Sequence, residues 1–151
     1  MKTDEDRVLA FRNLHTNDSI KCRYWSGGAY DPVALEDIAF VLRDHRADEM
    51  TEIDTELLDL LALVRYKLGV KKPYHVISGY RSPQTNAMLR AKSSGVAKKS
   101  QHMLGKAIDV RLPSVPLAEL RQVGLDLKGG GVGYYPKSDF VHLDVGRPRF
   151  W

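Results

Sequence analysis

Two short segments near the end of the chain, residues 132–135 and 140–145, restrict the fold more than any other feature. Both are rich in β-branched, aromatic and other apolar residues, and a turn that contains Pro136 separates them. A parallel pair of strands needs a crossover of a dozen or more residues, so these two strands must pair antiparallel. Together with helical patterns elsewhere, they predict an α+β protein with a central antiparallel sheet and flanking helices.

Capping residues and periodicity predict the remaining elements. Asp31 before Pro32 begins a helix to about residue 48, and Asp54 begins a second helix that ends at Gly69. The other predicted elements are an N-terminal hairpin within residues 1–30 that turns at Asn17-Asp18, strands at 74–80 and 107–112, and helices at 82–92 and 116–128, the last begun near Ser114.

Size and composition limit the class of protein. The 151 residues fit one domain, 1–151, and the hydrophobic content of 43% is that of ordinary globular domains. No apolar stretch approaches the roughly 20 residues of a membrane helix. The net charge of +4 is spread along the chain, so we expect no nucleic-acid partner. A single cysteine, Cys22, excludes an internal disulfide and a multi-cysteine zinc site.

Polar residues inside two apolar strands are the first indication of chemistry. Asp109 and His142 interrupt the strands, and His102 precedes Asp109 by seven positions. A buried carboxylate without a partner is costly, so Asp109 requires an ion pair, a hydrogen bond or a metal. Two histidines and one aspartate form the ligand set of a catalytic zinc site, with a fourth position for water. From the residues alone, a histidine and an aspartate at such a spacing most often form a hydrogen-bonded pair in the core, and this alternative stays open.

Three motifs resemble a known family. The pattern Ser-x-His-x-x-Gly-x-Ala-x-Asp over residues 100–109 resembles the signature of the zinc peptidoglycan peptidases, which include D-Ala-D-Ala carboxypeptidases and murein endopeptidases. Residues 78–82 resemble the segment of that family that carries an arginine, and residues 131–144 resemble its closing strands. The motifs lie within residues 76–151, and the Asn-Leu-His-Thr start at 13–16 is similar to the branch containing murein endopeptidase K.

The resemblance implies a site and a fold. The fold would be that of the hedgehog and DD-peptidase group, and His102, Asp109 and His142 would hold one Zn²⁺. Arg81, at a predicted junction of strand and helix, would face the scissile carbonyl of the substrate, although a surface arginine at a sheet edge is the alternative. Ser100, which opens the first motif, is expected to contact the substrate together with Arg81.

Two carboxylates are candidates for the general base that takes a proton from the attacking water. Some relatives place an acidic residue three positions before the last ligand, which is Asp139 here, and others place a histidine where this chain has Phe140. Side chains alternate along a strand, so Asp144 shares a face with His142, whereas Asp139 does so only if the turn bends it round. We favour Asp144 and keep Asp139 as the alternative, and either residue could instead orient a ligand histidine.

The resemblance also implies the substrate. It predicts a zinc-dependent murein endopeptidase that hydrolyses the cross-links between peptidoglycan stem peptides, at bonds to meso-diaminopimelate. The alternatives are a D,D- or L,D-carboxypeptidase that trims stem peptides and a peptidoglycan-binding module without turnover. Because peptidoglycan lies outside the cytoplasmic membrane, we expect a periplasmic or cell-envelope location. Residues 1–7 lack the pattern of an export signal, so such a signal would have been removed.

Overall fold

The computed structural model describes residues 5–151, which form one sheet packed against helices. Residues 1–4, the start of the predicted hairpin region, lie outside the described residues. The strands are β1 (Arg7–Asn13), β2 (Ser19–Ser26), β3 (Ala29–Tyr30), β4 (Tyr74–Ser78), β5 (Ala107–Arg111), β6 (Gly131–Tyr135), β7 (Phe140–Asp144) and β8 (Arg149–Phe150). The helices are α1 (Pro32–Val41), α2 (Thr55–Leu68), α3 (Pro83–Lys92) and α4 (Leu117–Leu127), with a short 3-10 helix at Gln101–Leu104.

The strand order across the sheet is β3-β2-β1-β4-β5-β7-β6-β8. β6 and β7 pair antiparallel, as their short connection predicts, and the α+β class is confirmed. The sheet is not antiparallel throughout residues 5–151, because β1 pairs parallel with β4 and β6 pairs parallel with β8. The connection from β1 to β4 runs through β2, β3, α1 and α2, which is long enough for a parallel crossover.

The two faces of the sheet differ in chemistry. One face packs against α1, α2 and α4, and its buried side chains include Phe11, Tyr74, Val76, Val110, Val141 and Leu143. The side chains between these positions point the other way. We call that second surface the open face, and its residues include Arg12, Lys21, His75, Asp109, Arg111 and His142. The predicted metal ligands therefore lie opposite the main apolar core.

α1 is shorter than predicted, because it ends at Val41 instead of near residue 48. One oxygen of the Asp44 carboxylate accepts hydrogen bonds from two backbone N–H groups that follow it, at 2.9 and 3.1 Å, and this turn replaces the helix. The other oxygen accepts from the backbone N–H of Ser82 at 2.8 Å. Burial would raise the pKa of Asp44, but these hydrogen bonds lower it to about 2. The charged carboxylate therefore fixes the start of α3.

The caps of α2 were predicted correctly, and α4 lies within one residue of its predicted bounds, but Ser114 does not cap it. Asp54 caps α2, and Gly69 ends it with a φ of 67°. α4 begins after Pro116, without a side-chain cap. Ser114 instead adopts a φ of 67°, and its hydroxyl accepts a hydrogen bond from Lys72. No helix within residues 5–151 has the length and apolar character needed to cross a bilayer.

Candidate active site

His102, Asp109 and His142 meet on the open face from three different elements, the 3-10 helix, β5 and β7. The register of β5 and β7 places Asp109 directly opposite His142. Asp109 Oδ1 lies 3.2 Å from His102 Nε2 and 2.9 Å from His142 Nδ1. All three residues are buried, and one ligand atom from each lies within 4.8 Å of the others. Ligand atoms around a tetrahedral zinc ion are about 3.4 Å apart, so small movements suffice for coordination.

The spacing of the first motif reflects the geometry of the short 3-10 helix. The hydroxyl oxygen of Ser100 accepts a hydrogen bond from the backbone N–H of His102 at 3.2 Å and so caps this helix. Gly105 ends it with a φ of 67°, and a Cβ atom there would lie 2.4 Å from the carbonyl oxygen of Glu52. Only glycine therefore fits at this position. Ser100 also lines the cleft beside the histidine, where it was predicted to meet the substrate.

The contacts of the two histidine rings indicate which nitrogens can face a metal ion. His102 Nδ1 lies 2.8 Å from the carbonyl oxygen of Gly79, which can only accept, so neutral His102 is protonated on Nδ1. His142 Nε2 lies 2.6 Å from the Asp144 carboxylate and Nδ1 lies 2.9 Å from the Asp109 carboxylate, so a proton on Nε2, the shorter contact, leaves Nδ1 as a lone pair. The bare nitrogens, Nε2 of His102 and Nδ1 of His142, both face Asp109. In these tautomers three lone pairs converge with no proton between them, a donor set that a metal ion would satisfy and that otherwise takes up a proton.

Charge stabilises the ionised form of Asp109 despite its burial. Burial by itself would raise the pKa of Asp109, but the charges and hydrogen bonds of His102 and His142 hold it below its usual value. Burial by itself would lower the pKa of His142, but hydrogen bonds to Asp109 and Asp144 raise it. Protons therefore compete with a metal ion for His142.

Asp144 lies on the same face as His142, as the strand period predicts, and it is fully buried. Its Oδ1 accepts from the backbone N–H groups of Gly131 and Gly146, each at 2.9 Å, and from Arg149 at 3.0 Å. Its Oδ2 accepts from His142 and from Arg149. Burial opposes this charge, but the hydrogen bonds from His142 and Arg149 keep the pKa of Asp144 below its usual value. A carboxylate with its lone pairs in use is a weak proton acceptor.

Asp139 lies in the turn before β7, with a φ of 59°. Its side chain is 65% exposed, and Oδ2 lies 3.6 Å from Nη1 of Arg111. Because Arg111 projects from the open face, the turn does bend the Asp139 side chain towards that face. The cleft around His102 and His142 is nevertheless lined by Asp109 and Asp144 and not by Asp139. Asp139 therefore lies at the rim of the open face, outside the cleft.

Arg81 lies between β4 and α3, as predicted, and lines the cleft. Its backbone N–H donates to the carbonyl oxygen of His102 at 3.1 Å, which attaches this segment to the 3-10 helix. Its Nη1 donates to Oδ1 of Asn86 at 3.2 Å, and Asn86 donates to the carbonyl oxygen of Ala97 at 3.0 Å. Asn86 is only 2% exposed. It therefore connects Arg81 to the loop containing Ala97, which also lines the cleft, a contact that sequence reasoning missed because it depends on tertiary structure.

Three aromatic residues, Tyr135, Phe140 and Trp151, form what we call the aromatic wall of the cleft. Tyr135 stacks on Phe140 with ring centroids 4.6 Å apart, and the Trp151 ring lies 5.0 Å from the ring of His142. The indole N–H of Trp151 donates to the Tyr135 hydroxyl at 2.6 Å. A Cβ atom on Gly133 would lie 2.6 Å from the indole, so glycine is needed beneath it. Sequence reasoning missed this wall, although the Gly-x-Gly of β6 was a signal.

The cleft encloses about 500 Å³, enough for part of a peptide. A metal ion held by these three residues would keep a coordination position for water or substrate, and such an open position distinguishes catalytic metal sites from structural ones. Arg81 supplies a fixed positive charge on the same cleft. Fold and site together are those expected of a metal-dependent hydrolase.

Comparison with known proteins identifies the family. A family described as peptidoglycan L,D-endopeptidase MepK matches residues 1–151. The chain is 44% identical over 151 residues to peptidoglycan L,D-endopeptidase MepK of Escherichia coli strain K12, which covers all of this chain and 83% of that protein. It is 38% identical over 152 residues to the probable peptidoglycan L,D-endopeptidase MepK of Haemophilus influenzae, of which it covers 82%. The chain belongs to the MepK family and is an enzyme.

Proposed function

We propose that this protein is a zinc-dependent endopeptidase that cleaves L,D peptide bonds in the cross-links of peptidoglycan. The observation that carries the proposal is the convergence of one ring nitrogen each of His102 and His142 on the Asp109 carboxylate, at 3.2 and 2.9 Å, while their other ring nitrogens contact Gly79 and Asp144. Such a nitrogen and oxygen donor set suits Zn²⁺. The names of the relatives supply the bond type and the substrate. Since that substrate lies outside the cytoplasmic membrane, we place the enzyme in the periplasm or cell envelope.

Residues of the cleft stabilise charge, contact the substrate and exclude water. Zinc, when bound, supplies the Lewis acidity that polarises an amide carbonyl and acidifies water. The Arg81 guanidinium, held by Asn86, stabilises the negative charge that develops on the carbonyl oxygen or binds a substrate carboxylate. Ser100 contacts the substrate from the cap of the 3-10 helix. Trp151 covers one side of His142 and excludes water from it.

We assign Asp144 a positioning role instead of that of general base. Its carboxylate keeps the proton of His142 on Nε2, which leaves Nδ1 free for the metal. The five hydrogen bonds that it accepts leave no lone pair directed at a water in the cleft. Asp139, the alternative base, is exposed and does not line the cleft.

The proposed activity is tested by incubating the zinc-loaded protein with purified cross-linked muropeptide dimers and identifying the products by mass. An endopeptidase converts dimers to monomers. Release of free D-alanine alone would instead show a carboxypeptidase, and retention on sacculi without new products would show a binding module. Either result would overturn the proposal. A chelator should abolish the conversion, and added Zn²⁺ should restore it.

Replacing Asp144 with asparagine should weaken zinc binding by about 10–100-fold, with a parallel loss of activity. An asparagine amide cannot satisfy all the donors that now surround the carboxylate, so the proton of His142 is no longer held on Nε2. Zinc titration with a competing chelator measures the affinity. The matched control is Asp139→Asn, which should keep both zinc affinity and activity within about twofold because this side chain is exposed.

The same pair of variants distinguishes the two roles. If Asp144→Asn kept full zinc affinity while it lost turnover, Asp144 would be the general base and the positioning role would be wrong. If Asp139→Asn lost turnover, the base would be Asp139.

A further inference from the structure

The open face continues beyond the metal ligands as a surface of basic side chains. The register of the parallel pair β1 and β4 places Arg12 beside His75, and the register of β4 and β5 places His75 beside Arg111. Arg111 is two positions after Asp109 on β5, so the two side chains share a face about 7 Å apart. The basic surface is therefore continuous with the metal cluster.

β2 extends this surface to the far side of the sheet. Lys21 pairs with Ala10, and Arg23 pairs with Val8. These partners lie two and four positions before Arg12 on β1, so Lys21 and Arg23 point the same way as Arg12. We call Arg12, Lys21, Arg23 and Arg111 the basic row. Three of them are exposed and Arg111 is half-buried. From β2 to β5 the row spans three strand spacings, about 15 Å.

Neighbouring carboxylates neutralise the basic row only in part. Arg23 contacts Asp6 at 3.1 Å, a pair in which both side chains are well exposed, and Arg111 contacts Asp139 at 3.6 Å. Exposed pairs of this kind are weak and exchange readily with other anions.

The other two members of the row keep their charge. Arg12 donates to the neutral side-chain oxygen of Asn17, and Lys21 makes no ion pair within the described part of the chain. Burial first, and then the charges of Arg111 and Arg12, lower the pKa of His75, which shows that the potential here is positive.

We propose that the basic row is a docking surface for the carboxylate-bearing stem peptides of polymeric peptidoglycan, and that it holds the polymer beside the cleft while a cross-link is cut. This inference rests on the proposed function. Stem peptides that contain diacids such as diaminopimelate keep free carboxylates, which complement the row in charge. Nucleic acid is also a polyanion. The basic row adjoins a peptidase cleft, however, which favours the peptide polymer.

The test compares Lys21→Glu with Lys67→Glu, a charge reversal of equal size at an exposed position on α2, away from the open face. Two quantities are measured for each zinc-loaded variant: the ratio of its rate on intact sacculi to its rate on soluble dimers, and the fraction that sediments with sacculi. Lys21→Glu should lower both about threefold, and adding Arg12→Gln should deepen the loss. In 1 M salt, where the Debye length is about 3 Å, wild type and variant should agree.

The outcomes separate this inference from the proposed function. Equal ratios and equal sedimentation for Lys21→Glu and wild type would overturn the docking surface, and so would an equal loss in Lys67→Glu, because net charge alone would then explain it. Binding to a short single-stranded DNA that depends on Lys21, with sacculus binding that does not, would overturn it in favour of nucleic acid. Failure of the wild type to cleave dimers would overturn the proposed function, while sedimentation would still test the row.

Discussion

Replacing His102 with alanine is expected to abolish both zinc binding and hydrolysis of cross-linked dimers. Loss of an outer-shell partner typically costs 10–100-fold in metal affinity or activity, so loss of one of three direct ligands should cost more than about 100-fold. The remaining Asp109 and His142 would form an ordinary carboxylate–imidazole hydrogen bond at 2.9 Å. Zinc content after dialysis against a weak chelator measures the first effect, and dimer turnover measures the second.

The control for this variant is His45→Ala. His45 stacks on His15 with ring centroids 3.9 Å apart, away from the cleft, so its loss should leave zinc content and turnover unchanged. Circular dichroism confirms that both variants fold. If His102→Ala kept stoichiometric zinc, or if it lost zinc but hydrolysed dimers at the wild-type rate, the metal mechanism would be contradicted.

Replacing Arg81 with alanine is expected to lower kcat by about 10²–10³-fold while zinc affinity is unchanged. The guanidinium is fixed by Asn86 on the wall of the cleft, and removing one fixed donor to a developing oxyanion has an effect of this size. Arg81 touches none of the three ligands through its side chain, so the metal site should survive. Steady-state kinetics on dimers, together with zinc titration, separate the two effects.

Two further variants sharpen this result. Arg81→Lys keeps the charge but not the fork of donors, so it should recover only part of kcat. Arg90→Ala, at an exposed position on α3, should behave as wild type. A kcat for Arg81→Ala within threefold of wild type would show that Arg81 is a surface arginine at a sheet edge. A rise in KM alone would show that Arg81 binds the substrate equally well in the ground state and in the transition state.

Features encoded by neighbouring residues could be predicted from the sequence. The Asp54 cap, the Gly69 terminator and the antiparallel pairing of β6 with β7 each depend on a few adjacent positions. The cluster of His102, Asp109 and His142 could be predicted for a related reason. Asp109 and His142 are polar residues within apolar strands, and such residues require partners.

Features that depend on distant contacts could not be predicted. α1 ends early because Asp44 is drawn into a turn and bonded to Ser82 of a remote segment. The role of Asp144 depends on Arg149 and on two backbone N–H groups, which together determine whether this carboxylate can take a proton. Alternation along β7 identified the correct face for Asp144 but could not reveal these partners. Asn86 was missed in the same way, because its contact crosses to a loop.

The central claim is that two opposite tautomers present three ligand atoms to one zinc ion. A crystal structure of the zinc-loaded protein, with the metal located by anomalous scattering, tests it most directly. We expect one ion per chain, within about 2.0–2.2 Å of Nε2 of His102, Nδ1 of His142 and an Asp109 oxygen, with the His142–Asp144 contact retained. An ion bound elsewhere, or bound through Nε2 of His142 with Asp144 displaced, would contradict it.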